Sequence, residues 1–188
     1  MTTFTPRTTP PSNDNLYYIK RNNTFHGYNR CIIINRDNGS VLPNCTGFSW
    51  GRFCECQDNV HDCNLSRANA ELWYGNTRDG YQRGQTPKLG AVICWHSTRS
   101  GGHVAIVEEI KDDGSIVTSN SAYGGQRFYM KTLRPPTYNM GSSYTFQGFI
   151  YNPTDFSPIP PTPVEKSKRK KFPFVLYARK LRGNRKLT

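Results

Sequence analysis

No apolar run in this 188-residue chain approaches the roughly 18 residues needed to cross a bilayer as a helix. The first residues, Met1-Thr2-Thr3-Phe4-Thr5-Pro6, have no charged segment followed by an apolar one, so the sequence reads as lacking a secretory leader. If the protein acts outside the cell that makes it, something other than a signal peptide carries it there. Acidic residues are scarce, 13 against 25 Lys and Arg, and are nearly missing from the end. Residues 164–188 hold ten basic side chains and one acid, Glu165, so the tail carries +9 of the net +12 and the body is nearly balanced at +3. Such a tail suits anionic polymers: nucleic acid, anionic lipid or anionic wall polymers. Hydrophobic residues make up only 35%, but 11 Tyr, 10 Phe and 3 Trp supply bulk for one core.

Six cysteines, Cys31, Cys45, Cys54, Cys56, Cys63 and Cys94, make an even count. Without a leader they do not argue for a secreted disulfide framework. Cys54, Cys56, His61 and Cys63 are candidate zinc ligands in C-x-C-x4-H-x-C order. Structural zinc sites usually space paired cysteines more widely. Reduced, half-buried thiols or one local disulfide is therefore the preferred reading.

Residues 1–15 are rich in Thr, Pro, Ser and Asn without apolar periodicity and read as a flexible arm lacking its own core. Tyr17-Tyr18-Ile19 and Cys31-Ile32-Ile33-Ile34 read as short strands or extended edge segments. Asn44 is a good cap for a helix beginning at Cys45, and its glycines, Gly47 and Gly51, suggest close packing against a neighbour. A second helix is expected over residues 66–74, ended by Gly75-Asn76, then a polar loop over 80–88. Residues 91–95, 103–110, 115–120, 126–133 and 145–151 are rich in strand formers with short turns between, Asp112-Asp113-Gly114 the clearest. Helices followed by an antiparallel meander predict an α+β body over 16–152. Beyond it lie a linker at 153–171, Pro-rich then basic, and a basic tail at 172–188.

Two residues carry the chemistry. Cys45 at a helix start would feel the positive end of the helix dipole and free N–H groups, which favour thiolate and could hold an oxyanion. His103 opens an apolar strand behind Gly101-Gly102, glycines that let a backbone or a substrate come close. His96 competes as base but lacks that glycine context. Asn120 ends the next strand across a hairpin, which brings it beside the start of its partner, and so is the candidate orienter of His103.

These stretches resemble a family. Asn44-Cys45-Thr46-Gly47-Phe48-Ser49-Trp50-Gly51-Arg52 is similar to the nucleophile helix of CHAP domains, the cysteine, histidine-dependent amidohydrolase/peptidases. Pro87-Lys88-Leu89-Gly90-Ala91-Val92-Ile93-Cys94-Trp95 resembles their core strand, Gly102-His103-Val104-Ala105-Ile106-Val107-Glu108 the histidine strand, and Phe146-Gln147-Gly148-Phe149-Ile150-Tyr151 the closing strand. The resemblance spans residues 40–152 or so. It implies a papain-like α+β fold of the NlpC/P60 type, with Cys45 as nucleophile, His103 as base and an acidic or amide residue at Asn120. It also implies that Asn44 helps hold the oxyanion. Many members have Glu at the orienter position, often with Asn two residues later; here Asn120 and Ala122 stand there.

The expected activity is thiol-dependent hydrolysis of amide bonds in bacterial peptidoglycan, with no cofactor. The basic tail and the leaderless start suggest a bacteriophage lysin, passing from host cytoplasm to wall after holin-dependent release, or a virion-associated enzyme. The tail would bind anionic wall polymers or other virion proteins. Two other readings are an inactive structural virion protein and a nucleic-acid-binding protein using the tail; the hydrolase motifs in the body weigh against both.

Overall fold

The computed structural model describes residues 2–18, 40–58 and 63–157. Its elements in chain order are β1 (Thr2–Thr3), a 3₁₀ turn (Leu16–Tyr18), α1 (Cys45–Glu55), two further 3₁₀ turns (Ala70–Leu72 and Thr77–Asp79), β2 (Arg83–Gly84), β3 (Val92–Ser97), β4 (His103–Ile110), β5 (Ile116–Asn120), β6 (Tyr129–Leu133), β7 (Tyr144–Ile150) and β8 (Phe156–Ser157). Six strands form one antiparallel sheet in the order β2-β7-β3-β4-β5-β6. β3 to β6 run as the expected meander, and β7 returns to the free edge of β3. The fold is α+β, as the order of patterns predicts.

Alternation along the strands divides the core in two. Val92, Cys94, Val104, Ile106 and Ile150 face α1 and pack with Phe48, Trp50 and Phe53. Ile93, Trp95, Ala105, Val107 and Phe149 form a second cluster with Tyr138 and Leu133. Every residue of α1 from Cys45 to Cys54 is buried, so the helix is enclosed rather than lying on the surface. Its glycines allow this. A Cβ on Gly47 would lie 2.7 Å from the Val41 side chain, and one on Gly51 would lie 2.6 Å from the Tyr17 carbonyl oxygen.

Three features differ from the sequence reading, and a fourth decides between its alternatives. Residues 66–74 hold only the single turn Ala70–Leu72, whose preceding residue Asn69 makes no side-chain cap bond. Tyr17 and Tyr18 lie in a 3₁₀ turn. The arm has no core of its own but is docked: Thr2 and Thr3 pair in parallel with Phe156 and Ser157, and Phe4 is buried. Cys54 and Cys63 form a disulfide with Cα atoms 5.6 Å apart, which removes two of the four candidate zinc ligands. Cys56 is a free thiol, and no group of three metal-ligating side chains occurs among the described residues. His61, the Cys31-Ile32-Ile33-Ile34 segment, most of the linker and the basic tail lie outside the described residues.

One buried ion pair locks α1 to the sheet. Arg52 donates from Nε and Nη2 to the two carboxylate oxygens of Glu108, each at 2.9 Å. Ser119 Oγ on β5 donates to Glu108 at 2.6 Å, and the Arg7 backbone N–H from the arm donates at 2.8 Å. Arg52 also meets Glu55 and the Thr5 carbonyl, and Glu55 accepts from Arg7 and Tyr18. Removing one member strands the other as an uncompensated buried charge. Glu108→Ala is therefore expected to lower unfolding free energy by about 3–5 kcal/mol, measured by urea denaturation; a loss under about 1 kcal/mol would assign the pair the weight of a surface salt bridge.

Candidate active site

Asn44 starts the helix as the sequence predicts. Its backbone is extended, and its Oδ1 accepts from the Thr46 backbone N–H at 2.9 Å and from Thr46 Oγ1 at 2.7 Å. Its own N–H donates to Ser121 Oγ at 3.0 Å, which ties the helix start to the end of β5. Cys45 is thus held in the first turn, nearly buried, with its thiol against the Val104 backbone N–H. Val104 follows His103, so thiol and imidazole belong to the same strand start.

Gly102 sets that start. Its φ is +82°, in the left-handed region that favours glycine, and a Cβ there would fall 2.5 Å from the Glu71 backbone nitrogen and 2.6 Å from the Trp95 carbonyl oxygen. The Glu71 N–H donates to the Gly101 carbonyl at 2.9 Å. The close approach allowed by the two glycines is thus made by backbone, not left open as room for a substrate. His103 pairs with Trp95 across the β3–β4 ladder, and its ring lies 5.7 Å from the indole and 6.3 Å, edge-on, from Tyr144.

Asn120 lies where the hairpin geometry puts it, with Oδ1 3.1 Å from His103 Nε2. The amide orientation follows from its other bonds. Nδ2 donates to the Thr118 carbonyl and to Thr118 Oγ1, both at 3.0 Å, and Thr118 Oγ1 donates onward to the Lys131 carbonyl at 3.2 Å. Since a carbonyl only accepts, Nδ2 is the group facing Thr118 and Oδ1 faces the histidine. Neutral His103 then carries its proton on Nε2 and leaves Nδ1 bare as the basic atom. Thr118 is a positioning residue that the sequence reading missed; the signal available was its place two residues before Asn120, the repeat of one strand face. His96 stands apart, half exposed, 3.5 Å from Glu71.

The electrostatics differ from the helix-dipole expectation in sign. Burial pushes the Cys45 thiol up, outweighing backbone hydrogen bonds from Val104, Thr46 and Cys45 that favour the thiolate. Burial also drives His103 down to about 4, against the Asn120 hydrogen bond that favours the cation. Tyr129, the ladder partner of Asn120, is pushed up to about 12 by burial, with negative charge on Cys45 and Tyr144 adding to the effect. At neutral pH the resting pair is thiol and neutral imidazole, and the helix start moderates the cost of the anion rather than populating it.

An enclosed helix with a thiol in its first turn packs on an antiparallel sheet that presents an imidazole and an amide from adjacent strands, as expected of a papain-like α+β fold. Residues 35–122 match the family described as CHAP domain. It is 40% identical over 116 residues to "Probable autolysin SsaALP" of Staphylococcus aureus (strain NCTC 8325 / PS 47), covering 60% of this chain and 41% of that protein. It is 30% identical over 128 residues to "Probable autolysin LDP" of the same strain, covering 61% of this chain and 40% of that protein. The chain thus spans about two fifths of the length of these curated relatives. A crystal structure of N-acetylmuramoyl-L-alanine amidase from Staphylococcus aureus superposes with a TM-score of 0.41 at 24% identity, covering 61% of this chain and 33% of that one.

The depressed histidine makes a direct prediction. The unfolded chain binds a proton on this imidazole below about 6.5, whereas the folded protein refuses it until about 4. Stability therefore falls as pH drops through that window. NMR titration of the His103 ring should give a midpoint well below the ordinary histidine value; a midpoint near 6.5 would show the site to be wet.

Proposed function

We propose that this chain is a peptidoglycan hydrolase that cleaves amide bonds of the bacterial wall by a thiol mechanism. The bond is that of an N-acetylmuramoyl-L-alanine amidase or of an endopeptidase acting on the peptide stem or cross-bridge. The observation that carries the reading is the His103–Asn120 bond at a strand start whose next N–H meets the Cys45 thiol. The CHAP domain and the printed names of the two relatives support it.

In this mechanism His103 Nδ1 takes the Cys45 proton as the sulfur attacks the amide carbonyl carbon. A C–S bond forms, the carbonyl π pair moves onto oxygen, and backbone N–H groups of the helix start, with the Asn44 amide, hold that oxyanion. The intermediate collapses with cleavage of the C–N bond, and imidazolium returns its proton to the departing amine. Water then attacks the thioester while His103 accepts a proton from it. The acid product leaves, and the proton passes from His103 to the sulfur. Asn120 keeps the ring in the tautomer with Nδ1 free, and Thr118 keeps Asn120 turned.

The same reading makes the protein a bacteriophage product. It is either a lysin that reaches the wall from the host cytoplasm after holin-dependent release, or an enzyme carried in the virion. The basic tail is its tether, to anionic wall polymers or to other virion proteins.

Turbidity loss of purified walls should disappear with Cys45→Ala and with His103→Ala. Asn120→Ala should leave a reduced kcat with KM little changed, because it acts through the base. Full lysis by the Cys45→Ala protein would sink the assignment. Removing residues 164–188 should abolish salt-sensitive wall binding while leaving turnover of a soluble muropeptide intact. Binding that survives both the deletion and high salt would show that the tail is not the anchor.

A further inference from the structure

Arg127 stands in the bend that leads into β6, and two neighbours fix that bend at the site. The Phe128 ring packs edge-on against Phe48 of α1, with centroids 5.8 Å apart, one helical turn from Cys45. Tyr129 pairs with Asn120 in the β5–β6 ladder and lies within electrostatic reach of the Cys45 thiol. The Arg127 guanidinium just before them differs from the paired arginines of this molecule. Its Nε and Nη2 are shielded from water and have no hydrogen-bond partner among the described residues. By contrast Arg7, Arg52 and Arg83 each meet a carboxylate.

Nε and Nη2 together form the side-on edge of a guanidinium, the pair of parallel N–H donors that matches the two oxygens of a carboxylate. A buried donor left unpaired costs about 1–3 kcal/mol, and more when it is charged. The fold bears that cost in the bend whose next two residues pack against Phe48 and pair with Asn120, at the edge of the site. The turn in front, residues 123–126, is exposed and contains Gly124 at φ +64° and Gly125, so it can shift without breaking the core.

We propose that Arg127 is a specificity residue whose Nε–Nη2 edge binds a free carboxylate of the peptide substrate. This deepens the peptidoglycan reading and rests on it. The recognised group is either the carboxylate of an acidic stem residue or the carboxylate at the peptide's C-terminus. Arg127 does not touch the reacting atoms; it sets which peptide is held across Cys45 and His103.

The test measures binding of three soluble stem peptides to the full chain carrying Cys45→Ala. One peptide keeps both carboxylates free, one has the acidic side residue amidated, and one has the C-terminus amidated. The free peptide should bind at least about tenfold tighter, roughly 1.4 kcal/mol, than the one amide that masks the recognised group. Adding Arg127→Gln should make all three bind alike. Equal binding of the three by the parent, a preference that survives Arg127→Gln, or no binding at all would each overturn the proposal. Thermal melting separates a structural role: removing two buried donors without partners should leave Tm unchanged or raised, and a fall would place Arg127 in the scaffold instead. Wall lysis by the unsubstituted chain tests the underlying reading separately. Lysis without carboxylate discrimination sinks only the Arg127 assignment, whereas discrimination without lysis supports the Arg127 site and sinks the hydrolase reading.

Discussion

The buried carboxylate of Glu108 is the constraint on which the rest of the arrangement turns. It receives Arg52 from α1, Ser119 from β5 and the Arg7 backbone from the arm. Arg52 lies seven residues, two helical turns, after Cys45 and so shares its face. Ser119 immediately precedes Asn120, and Glu108 shares β4 with His103. One side chain therefore registers three elements that each carry a site residue. The strand accommodates it with one extra residue: Val107 pairs with Thr118, whereas Glu109 pairs with Val117, leaving Glu108 as the bulge. A buried pair of this kind adds little net stability over an apolar core, but charge and hydrogen-bond geometry reject a helix shifted along the sheet. The aromatic packing supplies the bulk of the cohesion, and the ion pair selects which packing forms.

Burial decides the chemistry of the site as it decides the fold. A thiol at a helix start in water would move toward thiolate, but here desolvation outweighs the three backbone N–H groups around the sulfur. The same dry surroundings keep His103 neutral. Two shifts that each oppose charge favour a neutral pair, and the proton transfer of the proposed mechanism would need little reorganisation, because neither group begins solvated. The Asn120 contact complements this. An amide oxygen fixes the ring and its tautomer without adding a negative charge that would draw the imidazole toward its cation, as a carboxylate at that position would.

The strands were legible because their signals are local. β3, β4, β5, β6 and β7 fall within two or three residues of the ranges read from apolar and β-branched runs, and the Asp112-Asp113-Gly114 turn closes the hairpin that sets Asn120 beside His103. What escaped the sequence depends on distant partners. Thr2 and Phe156 meet from opposite ends of the body, and Arg7 and Glu108 are 101 residues apart, so no window of sequence contains the reason the arm is docked. Tyr17 and Tyr18 read as strand formers, but Gly51 lets the helix press against them, and Tyr18 turns its hydroxyl to Glu55. For Cys54 and Cys63 the sequence already favours thiols or a local disulfide over zinc, and proximity decides for the disulfide. Arg127 gave no sequence signal at all, because what distinguishes it is two buried donors without a partner among the described residues.

The segment at 66–74 shows how a failed local expectation still bears on the site. An amphipathic stripe there suggests a helix, yet only one turn forms, and its backbone is spent elsewhere. Glu71 donates its N–H to Gly101 and accepts Gln147 Nε2 at its carbonyl, 3.1 Å away, which bridges the loop before β4 to β7. A continued helix would claim those groups for its own i to i−4 bonds. The chain instead uses them to seat Gly102, the residue whose left-handed backbone turns the strand so that His103 faces Trp95, Tyr144 and Asn120. Gly102 is therefore required twice, by its φ and by the Glu71 backbone pressed against it, and the interrupted helix is the structural cost of aiming the imidazole.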